Sequence, residues 1–217
     1  MKNKEYNILI VDDHPIMREG ISQIINHQKD FTVIAEAESG PEALNILSEI
    51  SPDIAIVDIS LKGMSGLELT KEIKRRYNTI PVLILSMHPE NFYAERSIKA
   101  GAFGYIQKNE PSEKVLNAIR KVLAGKIYLS ETMSEKMLFQ LTGKKENNTT
   151  SLVEKLSDRE FEAFRLIGEG LKPHQIAEKL FVSVKTIETY YSRIKKKLNL
   201  KNASELRQFA INWFREK

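Results

Sequence analysis

Cysteine is absent from all 217 residues, which excludes disulfides and thiolate metal sites and fits a protein kept in a reducing compartment. No apolar run approaches the roughly 20 residues that a membrane-spanning helix needs, and the hydrophobic part of the opening MKNKEYNILIVDD is too short for a secretory signal. A soluble, cytoplasmic protein with no membrane partner is the expectation. The four histidines, His14, His27, His88 and His174, show no metal-ligand spacing, so no zinc site is expected. Long internal repeats are also lacking.

What the chain does have is an uneven charge. The net charge is +4, but residues 151–217 hold 14 Lys and Arg against 9 Asp and Glu, a balance of +5, while the preceding residues balance at −1. The excess points to a polyanion partner for one part of the chain only. Up to about residue 125, short apolar runs (YNILIVD, FTVIAEA, DIAIVD, PVLILSM and AFGYIQK) alternate with helical patterns over 16–26, 41–50, 67–76, 91–100 and 111–124. Five such units with nearly continuous apolar strands predict an α/β fold, a doubly wound parallel sheet with helices on both faces. The polar stretch TGKKENNTTS then reads as a linker, preceded by a short amphipathic piece over 130–141. After Leu156 every pattern is helical, beginning at a Ser157 to Glu160 capping box. The division expected is therefore 1–125, a linker over 126–150 that is partly helical, and a small all-α domain over 151–217.

The strand ends carry the chemistry. Ligands bind parallel sheets outside the carboxyl ends of the strands, and there the first strand delivers Asp12 and Asp13, the third Asp58, the fourth Ser86 and the fifth Lys108. Clustered carboxylates repel one another, and a hard divalent cation held through oxygen, Mg2+ above all, relieves the repulsion. Asp58, at the end of IAIV and before the flexible SLKGMSG, is expected to be exposed and able to attack a phosphoryl group, giving an aspartyl phosphate whose charge metal and Lys108 offset. Taken alone, Asp12 and Asp13 also suit the cap of a helix that starts near Pro15.

The segments IVDDHP, IAIVDISLKGMSGLEL, VLILSMH and GAFGYIQK resemble the receiver domain of bacterial two-component response regulators. The resemblance implies that Asp12, Asp13, Asp58 and the backbone carbonyl of Ser60 hold magnesium, that Asp58 is the phosphoacceptor, and that Lys108 meets the phosphate. It also implies that Ser86 and Tyr105 form a coupled switch and that Ser60 and His88 tune the phosphoryl lifetime. Two departures stand out: Lys62 and Asn109 occupy positions where the family often has proline. A cis bond after Lys108 without proline would cost about 2.5–4 kcal/mol.

The C-terminal segment LSDREFEAFRLIGEGLKPHQIAEKLFVSVKTIETYYSRIKKKLNL resembles the LuxR-type helix-turn-helix, which places the whole in the NarL/FixJ class. Apolar residues at Val184, Ile187, Tyr191, Ile194 and Leu198 predict one buried stripe on the second helix, capped by Ser183. Lys185, Glu188, Thr189, Ser192 and Lys196 then face outward. By position, the resemblance assigns base reading to Glu188, Thr189 and Ser192, and phosphate contacts to Lys185, Arg193 and Lys196. A stripe of Leu206, Phe209, Ala210 and Trp213 on the last helix is a candidate pairing surface or simply core.

The expected function is a DNA-binding transcription factor controlled by phosphoryl transfer from a sensor histidine kinase, a homodimer when phosphorylated, and not an enzyme beyond slow self-dephosphorylation. Two other readings stay open here. A hydrolase passing through an aspartyl phosphate would need an Asp-x-Asp arrangement at the first strand, which is missing. A regulator of the same fold worked by a partner or small ligand, or active constitutively, is the other.

Overall fold

Ile, Leu and Val dominate the short apolar runs, and branched side chains at alternating positions favour extended chain over helix. They form five strands: β1 (Tyr6–Val11), β2 (Phe31–Ala37), β3 (Ile54–Val57), β4 (Val82–Ser86) and β5 (Gly104–Gln107). The computed structural model describes residues 5–141 and 152–215, and the chain divides into two compact units between Lys136 and Met137.

In the first unit all strands are parallel, in the order β2-β1-β3-β4-β5. The chain leaves β1 to one side and returns to the other at β3, so a crevice opens at the carboxyl ends of those two strands. Every residue of β3 and β4 is buried, as expected of strands covered on both faces. The covering helices are α1 (Pro15–Asn26), α2 (Gly40–Glu49), α3 (Gly66–Arg76), α4 (Glu90–Ala100) and α5 (Ser112–Leu123). Each of the first four begins one residue before its sequence pattern does, because the opening position is a Pro, Gly or Glu that carries no apolar signal. Pro15 fits the first turn, where a missing N–H leaves no bond unmade. One core cluster joins Ile8, Ile10, Ile54 and Ile56 of the sheet to Ile21 and Ile25 of α1 and to Leu116 and Ile119 of α5.

Part of the expected linker is helical: α6 covers Glu131–Leu141, and the Ser130 hydroxyl accepts from the Met133 amide at its start. Residues 126–130 of that linker precede the helix, and 142–150 lie outside the described residues. No cis peptide bond occurs among the described residues, so the bond after Lys108 is trans.

The second unit holds α7 (Asp158–Gly168), α8 (Pro173–Leu180), α9 (Val184–Leu198) and α10 (Ala203–Arg215). The capping box at Ser157 and Glu160 is formed in both directions. Of the stripe on α10, Leu206, Ala210 and Trp213 are buried in the core of this unit and Phe209 is half-buried. Trp213 meets Phe161 and Phe164 of α7 edge-on, with ring centroids 5.9 and 5.8 Å apart. Periodicity identified the buried face correctly but could not say that α7 covers it. No helix among the described residues is long and apolar enough to cross a membrane.

Candidate functional site

Each strand end contributes one piece of an acidic pocket. Asp12 and Asp13 follow β1, Asp58 follows β3, and Lys108 follows β5, with its amide donating to the Ser86 carbonyl at 2.8 Å. The Lys108 ammonium sits 2.6 Å from Asp12 Oδ2 and 2.8 Å from Asp58 Oδ2. The backbone is equally constrained: the Asp12 amide bonds the Ala37 carbonyl of β2, and the Asp58 amide bonds the Val11 carbonyl of β1. Gly66 closes the back of the pocket, because a Cβ there would lie 2.0 Å from the Asp58 carbonyl oxygen.

The expectation that Asp58 is exposed is corrected. Its side chain is 3% accessible, since Lys108 and the neighbouring strand ends close over it. Burial pushes its carboxyl above the ordinary value of 3.8, and the Lys108 charge beside it only partly offsets this. On Lys108 burial acts in the opposite direction, but the Asp58 and Asp12 carboxylates outweigh it and hold the ammonium charged above its ordinary value of 10.5.

Asp12, Asp13, His14 and Asp58 bring one ligand atom each within 4.8 Å of one another. Asp58 Oδ1 is buried and has no hydrogen-bond partner among the described residues. A buried carboxylate oxygen left unsatisfied is costly, and beside two further carboxylates it fits a hard divalent cation. Capping does not explain the aspartate pair: His14, not an aspartate, is the N-cap of α1, and no side chain caps that helix. Asp12 Oδ1 instead accepts from the His14 amide at 3.0 Å, and the His14 imidazole stands 2.7 Å from Asp13 Oδ1. Sequence spacing gave no reason to include His14; its adjacency to the aspartates at a strand end was the available signal. Lys62 lies 4.0 Å from Asp13 Oδ2.

A second cluster borders the pocket. Ser86 is fully buried, and its hydroxyl accepts from the His88 amide at 3.2 Å. Buried Tyr105 donates its hydroxyl to the His88 carbonyl at 2.7 Å. The His88 ring stacks on Tyr93, centroids 4.8 Å apart, and its Nε2 lies 3.0 Å from Ser60 Oγ. Ser60, Ser86, His88 and Tyr105 are thus one connected group. The extent of His88's involvement was not legible, because its backbone groups and ring stacking make three of these contacts.

In the second unit, Ser183 accepts from the Thr186 amide at 3.1 Å and caps α9. Lys185, Glu188, Thr189, Ser192, Arg193 and Lys196 are all exposed, as outward-facing residues should be. Ile187, Ile194 and Leu198 are buried and Tyr191 is half-buried. Val184 does not join that stripe, being 44% exposed. The opening residue of a helix has no preceding turn to pack beside, so periodicity misplaces it. Lys197 is held inward by Glu160, 2.6 Å away. Between α8 and α9 the turn passes through Phe181 in a left-handed conformation, φ 54°.

Comparison with known proteins follows the same division. Residues 8–120 match the response regulator receiver domain, and residues 154–210 match the LuxR family of bacterial regulatory proteins. The oxygen regulatory protein NreC of Staphylococcus carnosus is 39% identical over 208 residues, covering 94% of this chain and 96% of NreC. Among solved structures, RcsB from Salmonella enterica serovar Typhimurium, bound to promoter rprA with phosphomimetic BeF3-, is 25% identical with a TM-score of 0.65, covering 95% of this chain and 98% of RcsB. A structure of two RcsB dimers bound to two parallel DNAs is 26% identical with a TM-score of 0.58, over 95% and 98% of the two chains.

Proposed function

The chain belongs to the response regulators that join a receiver domain to a LuxR-family DNA-binding domain, and from that premise we propose that phosphoryl transfer to Asp58 controls operator binding by α9. The observation that carries the proposal is Asp58 itself, a strand-end carboxylate with one oxygen on Lys108 and the other buried and unsatisfied. The receiver spans 1–125, the linker 126–150 and the DNA-binding domain 151–217.

The Asp58 carboxylate attacks the phosphorus of a phosphohistidine on the sensor kinase. The bond from phosphorus to imidazole nitrogen breaks, and the imidazole leaves to recover a proton from solvent. Lys108 stays charged throughout and offsets the negative charge that develops on the phosphoryl oxygens. Asp12, Asp13, Asp58 and the Ser60 carbonyl would hold magnesium, which would supply further neutralisation of that charge. Burial disfavours the charged form of Asp58, and the paired Lys108 acts against that effect.

The product places phosphoryl oxygens where Ser86 Oγ now accepts from the His88 amide. Ser86 is drawn to the phosphate, the His88 segment loses one of its ties, and the Tyr105 bond to the His88 carbonyl shifts with it. A buried network with two alternative bonding arrangements is the kind of element that responds in two states. Ser60 and His88, facing each other at the mouth, set how readily water reaches the acyl phosphate, whose slow loss is the only turnover expected. Two copies then bind the two halves of a symmetric operator, with Glu188, Thr189 and Ser192 at base edges and Lys185, Arg193 and Lys196 at phosphates. Such a protein works in the cytoplasm, where its kinase and DNA meet.

Intact mass after incubation with acetyl phosphate and magnesium tests the acceptor. One added phosphoryl group is expected, absent from Asp58→Asn and from a chelated control. Unchanged mass in all samples would remove phosphorylation from the reading and leave control to a partner or ligand.

A further inference from the structure

Val184 is the residue of α9 whose surroundings least match its chemistry: a branched aliphatic side chain, 44% exposed, on a helix otherwise presenting polar groups to solvent. It heads the line Val184, Glu188, Ser192, and residues four apart stack along one helical face. All three are exposed. Val184 also directly follows the Ser183 cap, which puts it at the N-terminal end of the helix, the end that contacts base edges in helix-turn-helix proteins. Lys185, Arg193 and Lys196 flank the same exposed arc, so its charge complements a polyanion and not a second copy of this basic domain.

A valine in a major groove has nothing to donate or accept. The base-edge group it complements is the 5-methyl of thymine. We propose that Val184 reads a thymine methyl in each operator half-site, fixing a T·A pair beside the pair approached by Glu188. The inference rests on the DNA-binding reading above and adds a specificity-determining residue to it.

The test begins with selection of duplexes from a random library by the full-length chain in magnesium and beryllofluoride. The enriched duplex is then remade with deoxyuridine in place of one thymine at a time, which deletes only the 5-methyl. Binding of each duplex is measured by fluorescence anisotropy for the wild type and for Val184→Ala. In each half-site one thymine is expected whose demethylation weakens wild-type binding by about fourfold and leaves Val184→Ala unaffected. Identical demethylation profiles for the two proteins would overturn the inference, as would a selected sequence in which no demethylation matters. Circular dichroism checks that the variant is folded; if it is not, Val184→Ser, whose side chain carries no methyl group, replaces it and the same criterion applies. Failure of the library to enrich any sequence would overturn the DNA-binding reading itself, and is distinguishable from failure at Val184 alone.

Discussion

Asp58 and Lys108 show what a strand-end residue owes to neighbours far away in the chain. Lys108 stands between two buried carboxylates, so replacing it with methionine leaves both without a countercharge. In metal-free buffer near neutral pH, Lys108→Met is expected to lower stability by about 3–5 kcal/mol, the range for breaking a buried pair by removing one partner. Urea denaturation with and without magnesium checks this: added magnesium should recover part of the loss in the variant and change the wild type less. The donor set of this pocket was legible in the sequence because residues next to buried strand ends have few places to go. Burial of Asp58 was not, since Lys108 and the other strand ends that cover it are brought there by the fold. His14 was not expected beside the aspartates for a similar reason: spacing rules describe ligands on one helix, whereas this imidazole lies near Asp58 across two strands.

Helices extend these constraints over longer stretches. The start of α3 lies against the Asp58 carbonyl, and Gly66 is the residue that permits it. A Cβ cannot fit at 2.0 Å, so Gly66→Ala must displace either α3 or the loop bearing Asp58. Its expected cost is about 1–3 kcal/mol, as for overpacking in a core, accompanied by slower phosphoryl incorporation in the intact-mass assay. In α7, Glu160 both completes the capping box and binds Lys197 of α9. Burial raises its carboxyl, but the Lys197 hydrogen bond and the Ser157 backbone outweigh this and hold it below the ordinary 4.5. A folded-state value below the unfolded one means the stabilisation is complete above about pH 4.5 and is lost as pH falls through the folded value. Glu160→Gln should therefore lower stability by about 1–2 kcal/mol at neutral pH. Thermal melts should show that deficit shrinking below pH 4.5. Periodicity located these helices well but missed what covers α10, and it failed at Val184, where the rule assumes a preceding turn.

At the scale of the chain, the division of charge noted in the sequence coincides with a division of roles, acidic pocket in one unit and basic arc in the other. Counterion release ties that arc to ionic strength: each phosphate neutralised adds about 0.9 to the slope of log affinity against log salt. Lys196→Gln is expected to weaken binding to all duplexes similarly and to reduce that slope by about 1, whereas Ser192→Ala should alter sequence preference with little change in slope. Anisotropy titrations over a range of salt concentrations separate the two outcomes. The arrangement of α9 carries a consequence of another kind. Its buried residues serve folding and, on the function proposed above, its exposed arc serves recognition, with almost no position shared between them. On that reading, substitutions along Val184, Glu188, Thr189 and Ser192 would move a duplicated copy to a new operator with little loss of fold, leaving the choice of target free to change while the core stays fixed.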